Sequence, residues 1–532
     1  GKSHTYNSEK IAGIIPNFME MKKIYLVKYD DFSEGSSLNV TKPSATKELI
    51  ETINQGTSII NYIGHGNSRQ WAQEKLLVID ENRNDINLIN TEMKLPLWIA
   101  GTCNWGHFDK IDEESFAEEL IRTSMDGASA VISTSRGISV SSNINFLEKI
   151  FNQIFKDKEV ANLTVGSLLQ SVKTGGSDGE LFHLFGDPAM PLPLPQKIIK
   201  NAYVTPDTLS TLEIGVLNAQ IDNARGTGNF VLQDAPAEVS VDFYFGSQNE
   251  SISYLENGSK LFKGAFTYSN NTLSPKFRVP KDISFSSGFA SVRFNLDGED
   301  GFEAIGAASN ISFSPGVPSA DVDGPIITFL TKSGRVLRDS DHVKKGEEIQ
   351  VRLSDPNGIN ITNRKGHEMI LFDEVKSVEY YIADSFEYDI NSLTTGTFIF
   401  KPDLSDEEIY INVKAWDNAN NPNEEKINLD LTNSEIFELR SVYNFPNPFY
   451  DKTQFSFEIT QSADIAIDIY TLSGLKVSTI SSGYFNEGYG IIDWDGTDNY
   501  GQILSNGVYL FQMKASSNSQ KINFTGRIAI IR

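Results

Sequence analysis

The stretches SIINYIGHG (residues 58–66) and LPLWIAGTCN (residues 95–104) decide the fold of this chain. Each begins with an apolar run of the length of a short buried strand and ends in a glycine turn. If the two strands lie side by side and parallel, His65 and Cys103 follow them at the same edge of the sheet. The two stretches therefore predict a sheet that brings a histidine and a thiol together.

Strand and helix patterns alternate around these two stretches, from Lys22 to about Ser135, which is typical of an α/β layer. One helix is predicted from Pro43 to Gln55, with proline in its first turn and Gly56 just past its end. The other predicted elements are strands at residues 23–27 and 128–133 and helices at about residues 115–123 and 143–155. The motifs FGDP (185–188) and PLPLP (191–195) close this segment, so we expect the first domain to span residues 1–195.

Beyond residue 196 the apolar residues recur at every second position, as in residues 239–245, 409–415 and 465–469. Clusters of glycine and proline at residues 315–325 and the stretch 431–448 divide this part into pieces of ordinary sandwich size. We expect three all-β immunoglobulin-like sandwich modules, at residues 196–318, 319–433 and 434–532.

The composition of the chain excludes several classes of partner. Its 532 residues carry a formal net charge of -24, which argues against binding to nucleic acid or to an anionic membrane face. No run of 18 or more apolar residues occurs, and the first residues show no charged segment followed by an apolar one. We therefore expect neither a membrane span nor an export signal within this sequence.

Cys103 is the only cysteine of the chain, so a disulfide and a multi-cysteine metal site are both excluded. A neighbouring imidazole that takes the proton of a thiol produces the thiolate that attacks carbonyl groups. His65 would be that base, and the backbone amides of Gly66 and Cys103 could bind the developing oxyanion. The arrangement predicts acyl transfer through a thioester. In the alternative interpretation, Cys103 is a small buried hydrophobic residue and His65 a hydrogen-bonded turn residue.

Three other groups of residues offer weaker candidates. His107 is a rival base, but the loop after Cys103 would have to fold back to use it. His183 lies in an apolar, strand-like stretch and is expected to be a core histidine. Asp80, Glu81 and Asp85 could hold calcium, yet their spacing misses the EF-hand pattern and a solvated loop is the simpler interpretation.

Several ordered motifs of residues 1–195 resemble the gingipain family of cysteine peptidases, which have a caspase-like α/β/α fold. The matching pieces are residues 45–55 leading into NYIGHG (61–66), Trp71, Thr102-Cys103, SFAE (115–118) and FGDP (185–188). The resemblance implies that His65 and Cys103 are a catalytic dyad. The resemblance also implies that the protein requires no cofactor, and that it could hold structural calcium.

The rest of the chain resembles parts of the type IX secretion system of Bacteroidetes. NFPNPF (444–449), WDG (494–496), GVY (507–509) and the closing strand 528–532 are similar to its C-terminal sorting domains. DGP (323–325), DPNGIN (355–360) and AWDNANN (415–421) are similar to the region before the tail in the PorU family, the sortases of that system.

These resemblances imply a location and a set of partners. The sortase family sits on the extracellular face of the outer membrane beside a barrel protein, PorV. It cuts C-terminal sorting domains off cargo proteins and joins the new C-terminus to surface lipopolysaccharide. A caspase-like sheet also needs strands, a helix and an acidic partner for the histidine that would lie before residue 1. We therefore expect the upstream half of the peptidase domain to be a further partner.

Two other functions fit the same motifs. One is a secreted gingipain-like protease that carries the tail as its own sorting signal. The other is a non-catalytic surface scaffold built on a degenerate peptidase, because a fold does not imply a function. The loop NWGH (104–107) departs from the loop expected for a typical member of the sortase family.

Overall fold

The structure is a computed structural model, and it describes residues 2–33, 40–123, 125–156, 160–173, 179–245, 248–285, 288–432, 436–517 and 520–532. The chain divides into two units, one of residues 1–277 with 283–315 and the other of residues 278–282 with 316–532.

Five α-helices occur among the described residues, and all of them belong to the first unit. They are α1 (Lys2–Ala12), α2 (Pro43–Gln55), α3 (Phe116–Arg122), α4 (Val140–Ile154) and α5 (Val165–Val172). None of these helices is both long enough and apolar enough to cross a membrane.

The strands interspersed with these helices are short. They are β1 (Phe32–Ser33), β2 (Val40–Thr41), β3 (Ile59–Ile63), β4 (Gly66–Asn67), β5 (Gln70–Trp71), β6 (Leu77–Val78), β7 (Leu97–Gly101), β8 (Ala130–Thr134) and β9 (Phe182–Gly186). Four of them form one sheet in the order β3-β7-β8-β9.

The pairing in this sheet confirms the predicted arrangement of its two decisive strands. β3 and β7 are adjacent and parallel, with Ile63 opposite Gly101. β8 continues the sheet in parallel, and β9 closes it in the antiparallel direction. The carboxyl ends of β3 and β7 therefore lie side by side.

Side chains alternate between the two faces of the sheet, and each face packs against helices. On one face Trp98 and Ala100 join a core that includes residues of α2 and α3. On the other face Leu97 and Ile99 join a core that includes residues of α1, α4 and α5. The region is therefore an α/β/α arrangement of three layers, as the sequence predicts.

Helix α2 has the predicted limits, residues 43–55. Its apolar residues Leu49, Ile50 and Ile53 are buried on one side. Gly56 follows the helix with a φ of 105°, a backbone conformation that side chains other than glycine rarely adopt. The local start and stop signals therefore sufficed to place this element.

The two other predicted helices are confirmed with small shifts at their ends. α3 begins after Ser115, whose side chain and that of Glu118 form a capping box. α4 begins at Val140, earlier than predicted, because Ser139 caps it by accepting from the amide of Ser142.

The predicted strand at residues 23–27 is wrong. Residues 21–25 form neither helix nor strand, and Leu26–Lys28 form a single 3-10 turn. Polar contacts with α1 hold this segment: Lys23 pairs with Glu9 at 2.7 Å, and the hydroxyl of Tyr25 donates to Glu9 at 2.5 Å. Side-chain contacts with a distant helix therefore replace the sheet hydrogen bonds that the apolar pattern predicts.

The remainder of the first unit consists of strands. They are β10 (Lys197–Ile199), β11 (Tyr203–Thr205), β12 (Thr208–Ser210), β13 (Ile214–Gln220), β14 (Arg225–Gln233), β15 (Ala237–Phe245), β16 (Gln248–Glu256), β17 (Lys260–Ser269), β18 (Thr272–Leu273), β19 (Lys276–Arg278), β20 (Ala290–Gly298) and β21 (Glu303–Ser314). Neighbouring strands follow the order β10-β21-β20-β14-β17. β15 and β16 form a separate hairpin.

The first strands of the second unit form a five-stranded sheet in the order β23-β30-β29-β25-β26 and a run in the order β27-β28-β24-β22. These strands are β22 (Ile326–Thr331), β23 (Asp341–Lys344), β24 (Ile349–Ser354), β25 (Ile370–Asp373), β26 (Val378–Tyr381), β27 (Glu387–Tyr388), β28 (Thr395–Phe400), β29 (Glu408–Trp416) and β30 (Pro422–Thr432).

The last strands form sheets in the orders β31-β32-β35 and β34-β33-β36-β37 around a common core. They are β31 (Leu439–Phe445), β32 (Thr453–Ile459), β33 (Ala463–Thr471), β34 (Lys476–Phe485), β35 (Gly488–Trp494), β36 (Gly507–Ser517) and β37 (Gln520–Ile530). The stretches with an apolar residue at every second position, 239–245, 409–415 and 465–469, coincide with β15, β29 and β33.

We expect Ile99→Ala to lower the free energy of unfolding by about 2–5 kcal/mol, because Ile99 is 0 % exposed at the centre of the sheet and its truncation leaves a cavity. Ile111→Ala is the matched control, since Ile111 is 98 % exposed and its loss should change stability by less than about 0.5 kcal/mol. Denaturant unfolding followed by far-UV circular dichroism measures both. Equal stabilities of the two variants would contradict the buried position of Ile99.

Candidate active site

His65 and Cys103 each lie two residues beyond the end of their strand, because Ile63 and Gly101 are the paired last residues of β3 and β7. The pairing extends one step further, since the amide of Gly64 donates to the carbonyl of Gly101 at 3.4 Å. Neighbouring strands lie about 4.8 Å apart. The predicted base and nucleophile therefore follow equivalent ends of adjacent strands.

The half-buried thiol of Cys103 contacts the segment that leads into α4. The amide N–H of Ile138 donates to Sγ at 3.4 Å, and Sγ lies 3.7 Å from the carbonyl oxygen of Ile138. Ile138 directly precedes Ser139, the capping residue of α4. An N–H donor and the positive end of a helix dipole both favour negative charge on a nearby atom. The backbone of Ile138 thus both donates to the sulfur and accepts from the thiol.

Hydrogen bonds to neighbouring elements hold the chain around Cys103. Asn143 of α4 donates to the carbonyl of Gly101 at 2.6 Å, and the Thr134 hydroxyl donates to the carbonyl of Thr102. The amide of Asn104 donates to the carbonyl of Arg136 at 3.3 Å. The position of the thiol therefore depends on β8 and α4 as well as on β7.

Two backbone amides were predicted to bind an oxyanion. Among the described residues, no carbonyl or side chain accepts from the amide of Cys103. Gly66 begins β4, which forms a hairpin with β5. A Cβ at Gly66 would lie 2.5 Å from the hydroxyl oxygen of Thr102, so only glycine allows the two loops to approach this closely. The oxyanion role of both amides stays a prediction.

The side chain of His65 is exposed, and its carbonyl oxygen is held from two sides. The hydroxyl of Tyr62 and the amide of Ala72 both donate to this oxygen, each at 2.8 Å. The ring of His65 meets the ring of His4 edge to face, with centroids 4.9 Å apart. The sequence reasoning missed His4, because an isolated histidine in a short polar helix forms no motif.

The loop at residues 104–107, which was expected to differ from the family pattern, packs into the core. Trp105 is 0 % exposed and packs against Trp71 and Phe116, with ring centroids 4.8 and 5.2 Å away. Gly106 lies against Phe185, whose ring a Cβ would meet at 2.6 Å. The loop after the nucleophile is therefore anchored in the core under the site.

The rival histidines are engaged elsewhere. Nε2 of His107 lies 3.3 Å from Asp109, whose pKa is lowered to about 2 chiefly by its hydrogen bond from Arg136. His183 lies in β9, opposite Ser133 of β8, as its strand-like surroundings predict, but it is half-buried and not the expected core histidine. Burial lowers the pKa of His183.

The carboxylates considered for calcium in the first unit do not form a ligand set. Asp85 is fully buried, and Arg83 donates to both of its oxygens at 2.7 Å. The amide of Val78 donates to it as well, at 2.8 Å. Asp80 accepts from the amides of Asn82 and Arg83, which is the bonding of a turn residue.

Carboxylates that could hold a metal ion lie instead in the second unit. Ligand atoms of Asp321, Asp355 and Asp417 lie within 4.8 Å of one another. Burial is the main cause that raises the pKa of Asp355, to about 6, and the other two carboxylates add to it. Burial raises the pKa of Asp417 as well. From the sequence, the motifs that contain Asp355 and Asp417 were noted only for their resemblance to a family, and none of the three aspartates was predicted to be a metal ligand.

Comparisons with known proteins bear on both ends of the chain. Residues 1–193 match the sequence profile of peptidase family C25, the gingipain family. This match confirms the resemblance that the motifs around His65 and Cys103 indicate. Residues 447–519 match the FlgD Ig-like domain. The chain thus has a region similar to peptidase family C25 and a region similar to the FlgD Ig-like domain.

Solved structures with similarity to this chain include two from Porphyromonas gingivalis. The dimeric latent PorU is 20% identical, with 76% of this chain and 41% of that chain covered and a TM-score of 0.29. The complex of RgpB pro- and mature domains is 17% identical, with 58% and 63% covered and a TM-score of 0.29. The chain thus spans about two fifths of the PorU chain and under two thirds of the RgpB chain.

FlgD from P. aeruginosa is 24% identical, over 15% of this chain and 61% of that one, with a TM-score of 0.14. No curated protein sequence matches the chain.

We expect Gly66→Ala to slow alkylation of Cys103 by iodoacetamide at least about tenfold, because the new methyl group must push the Thr102 loop away from His65. Gly137→Ala is the control, since a Cβ there would meet no atom within 4 Å. Intact mass spectrometry counts the alkylated thiol directly, as the chain has one cysteine. Unchanged alkylation of Gly66→Ala would rule out the close approach of the two loops.

We expect the carboxylate cluster to make the second unit less stable as the pH rises in the presence of a chelator. The folded-state pKa of Asp355 is raised to about 6, so its contribution is present below about pH 4 and lost as the pH rises through 6. Asp355→Asn removes the ionisable group. The change in unfolding free energy that it causes should therefore be more favourable at pH 7 than at pH 4, by about 1–2 kcal/mol.

Thermal unfolding at both pH values measures this difference. Asp323→Asn, which alters an exposed aspartate of the same unit, is the control. An equal effect of Asp355→Asn at pH 4 and pH 7 would contradict the raised pKa.

Proposed function

We propose that this chain is part of a cell-surface cysteine endopeptidase and transpeptidase, a sortase that removes C-terminal sorting domains from type IX secretion cargo and attaches the cargo to surface lipopolysaccharide. One observation carries the proposal. His65 and Cys103 follow the paired ends of adjacent parallel strands in a region that matches peptidase family C25.

The first half of the reaction forms a thioester. His65 takes the proton of Cys103, and Sγ attacks the carbonyl carbon at the junction between cargo and sorting domain. The amides of Cys103 and Gly66 stabilise the oxyanion. The C–N bond then breaks, the leaving amine receives the proton from His65, and the cargo stays bound to Sγ as an acyl group.

The second half transfers the acyl group to an acceptor. An amine or hydroxyl of the surface glycan gives its proton to His65 and attacks the thioester carbon. The C–S bond breaks, and Cys103 leaves as a thiolate next to the amide of Ile138 and the imidazolium of His65. The Ile138 amide, which lies 3.4 Å from Sγ, supports this step because it can stabilise the departing sulfur.

The partners and location belong to the same proposal. The outer-membrane barrel PorV would hold the protein on the extracellular face, and the upstream half of the peptidase domain would complete a caspase-like sheet. The Ig-like domain at residues 447–519 supports a role for the tail in these contacts, since such sandwiches are common in binding proteins.

A secreted gingipain-like protease is the second candidate. The exposed side chain of His65 favours the protease, because a water molecule can reach this base. His65 could then activate the water for hydrolysis of the thioester. The sortase and the protease share the thioester and differ in what resolves it.

The test uses the protein as it exists on the cell, incubated with a peptide that spans a sorting-domain junction and with an amine acceptor. We expect acceptor-linked product in intact mass spectra, and a loss of at least about 10³-fold in Cys103→Ala and His65→Ala. His107→Ala is the control and should stay within about threefold, because His107 is bound to Asp109.

The other outcomes separate the alternatives. Hydrolysed peptide without acceptor product would make the protein a protease and overturn the sortase. Cleavage that persists in Cys103→Ala would overturn the dyad and favour the non-catalytic scaffold.

A further inference from the structure

His4 of α1 lies directly against the proposed base. Its ring and that of His65 have centroids 4.9 Å apart and planes at 84° to each other. Aromatic rings attract each other in this perpendicular arrangement at 4.5–7 Å. The contact joins a helix at the start of the chain to the loop that follows β3.

No hydrogen bond from Nδ1 holds the ring of His4 in this position. Nδ1 of His4 is buried and has no hydrogen-bond partner among the described residues. A buried polar atom without a partner destabilises the folded state. The ring contact with His65 is therefore what the His4 side chain contributes here, and a phenylalanine could make the same contact without that cost.

The helix that carries His4 is held firmly against the sheet. Ile11 of α1 is 3 % exposed and belongs to the same core as Ile63 of β3. Glu9 of α1 pairs with Lys23 at 2.7 Å and accepts from Tyr25 at 2.5 Å. A fixed helix can hold the ring of His4 in one place against His65.

The two rings do not share a positive charge. Burial lowers the pKa of His4 well below its usual range, and the nearby His65 adds to this effect. His4 is therefore uncharged near neutral pH. A neutral aromatic ring within 6 Å of a cation stabilises that cation.

We propose that His4 is a positioning residue for His65: its ring sets the plane of the His65 imidazole and stabilises the imidazolium that forms when Cys103 gives up its proton. This inference rests on the proposed function, because it assumes that His65 acts as the base for Cys103. It assigns the effect on the dyad to the ring contact of His4 and not to hydrogen bonds of its nitrogen atoms.

The experiment compares His4→Ala with His4→Phe in the full chain. Two controls accompany them: Tyr6→Ala, because Tyr6 is 63 % exposed on the same helix, and His65→Ala, which removes the base itself. The first measurement is the rate at which iodoacetamide alkylates Cys103 near neutral pH. The second is kcat and KM on the junction peptide, and the third is the unfolding temperature.

We expect His4→Ala to lower the alkylation rate and kcat by about tenfold, with KM within about twofold, because the base is misoriented while the substrate still binds. His4→Phe should restore both rates to within about threefold of the unsubstituted protein, because the edge-to-face contact and the aromatic face are kept. It should also unfold at an equal or higher temperature, since it removes the unpaired Nδ1. Tyr6→Ala should leave both rates unchanged.

The controls distinguish failure of this inference from failure of the proposed function. If His65→Ala slows alkylation but His4→Ala does not, the role of His4 is overturned and the dyad stands. If His4→Phe is as slow as His4→Ala, the aromatic face is not what acts, and the inference is overturned. If His65→Ala leaves alkylation unchanged, the proposed dyad itself fails. Should His4→Ala not fold, His4→Leu replaces it, with the same loss expected.

Discussion

The parallel pairing of β3 with β7, with Ile63 opposite Gly101, is the constraint on which the rest of the first unit depends. A shift of one residue would turn every side chain of a strand to the other face. Trp98 would then leave the layer of α2 and α3, and Ile99 would leave the layer of α1, α4 and α5. Since both faces are buried, the two hydrophobic layers hold the register, and the register sets the positions of His65 and Cys103.

Neighbouring elements then refine the site that this register creates. Asn143 and Thr134 hold the carbonyls of Gly101 and Thr102, and the amide of Ile138 reaches the sulfur. The buried indole of Trp105 anchors the loop that follows. Cys103 is thus held by several neighbouring elements, whereas the side chain of His65 is exposed and has His4 as a ring contact.

The second unit combines an apolar core with a cluster of carboxylates. Its last strands enclose a core of aromatic and branched side chains that includes Phe455, Phe457 and Ile467. Asp321, Asp355 and Asp417 meet where loops of the unit converge, and burial raises the pKa of two of them. Like charges in a poorly solvated place oppose folding, and a cation or protons can offset that repulsion.

The sequence by itself determined the elements whose signals are local. Helix α2, the strands that end before His65 and Cys103, and the strands with apolar residues at every second position follow from periodicity and from turn or cap residues within a few positions. The identity of the two candidate catalytic residues follows from the same motifs. Only the tertiary structure decided the rest. Lys23 and Tyr25 bond to Glu9 and their segment forms no strand, the amide of Ile138 donates to the sulfur of Cys103, and the ring of His4 contacts that of His65. Each of these contacts joins residues far apart in the chain, and no local pattern encodes which distant partner a side chain will meet.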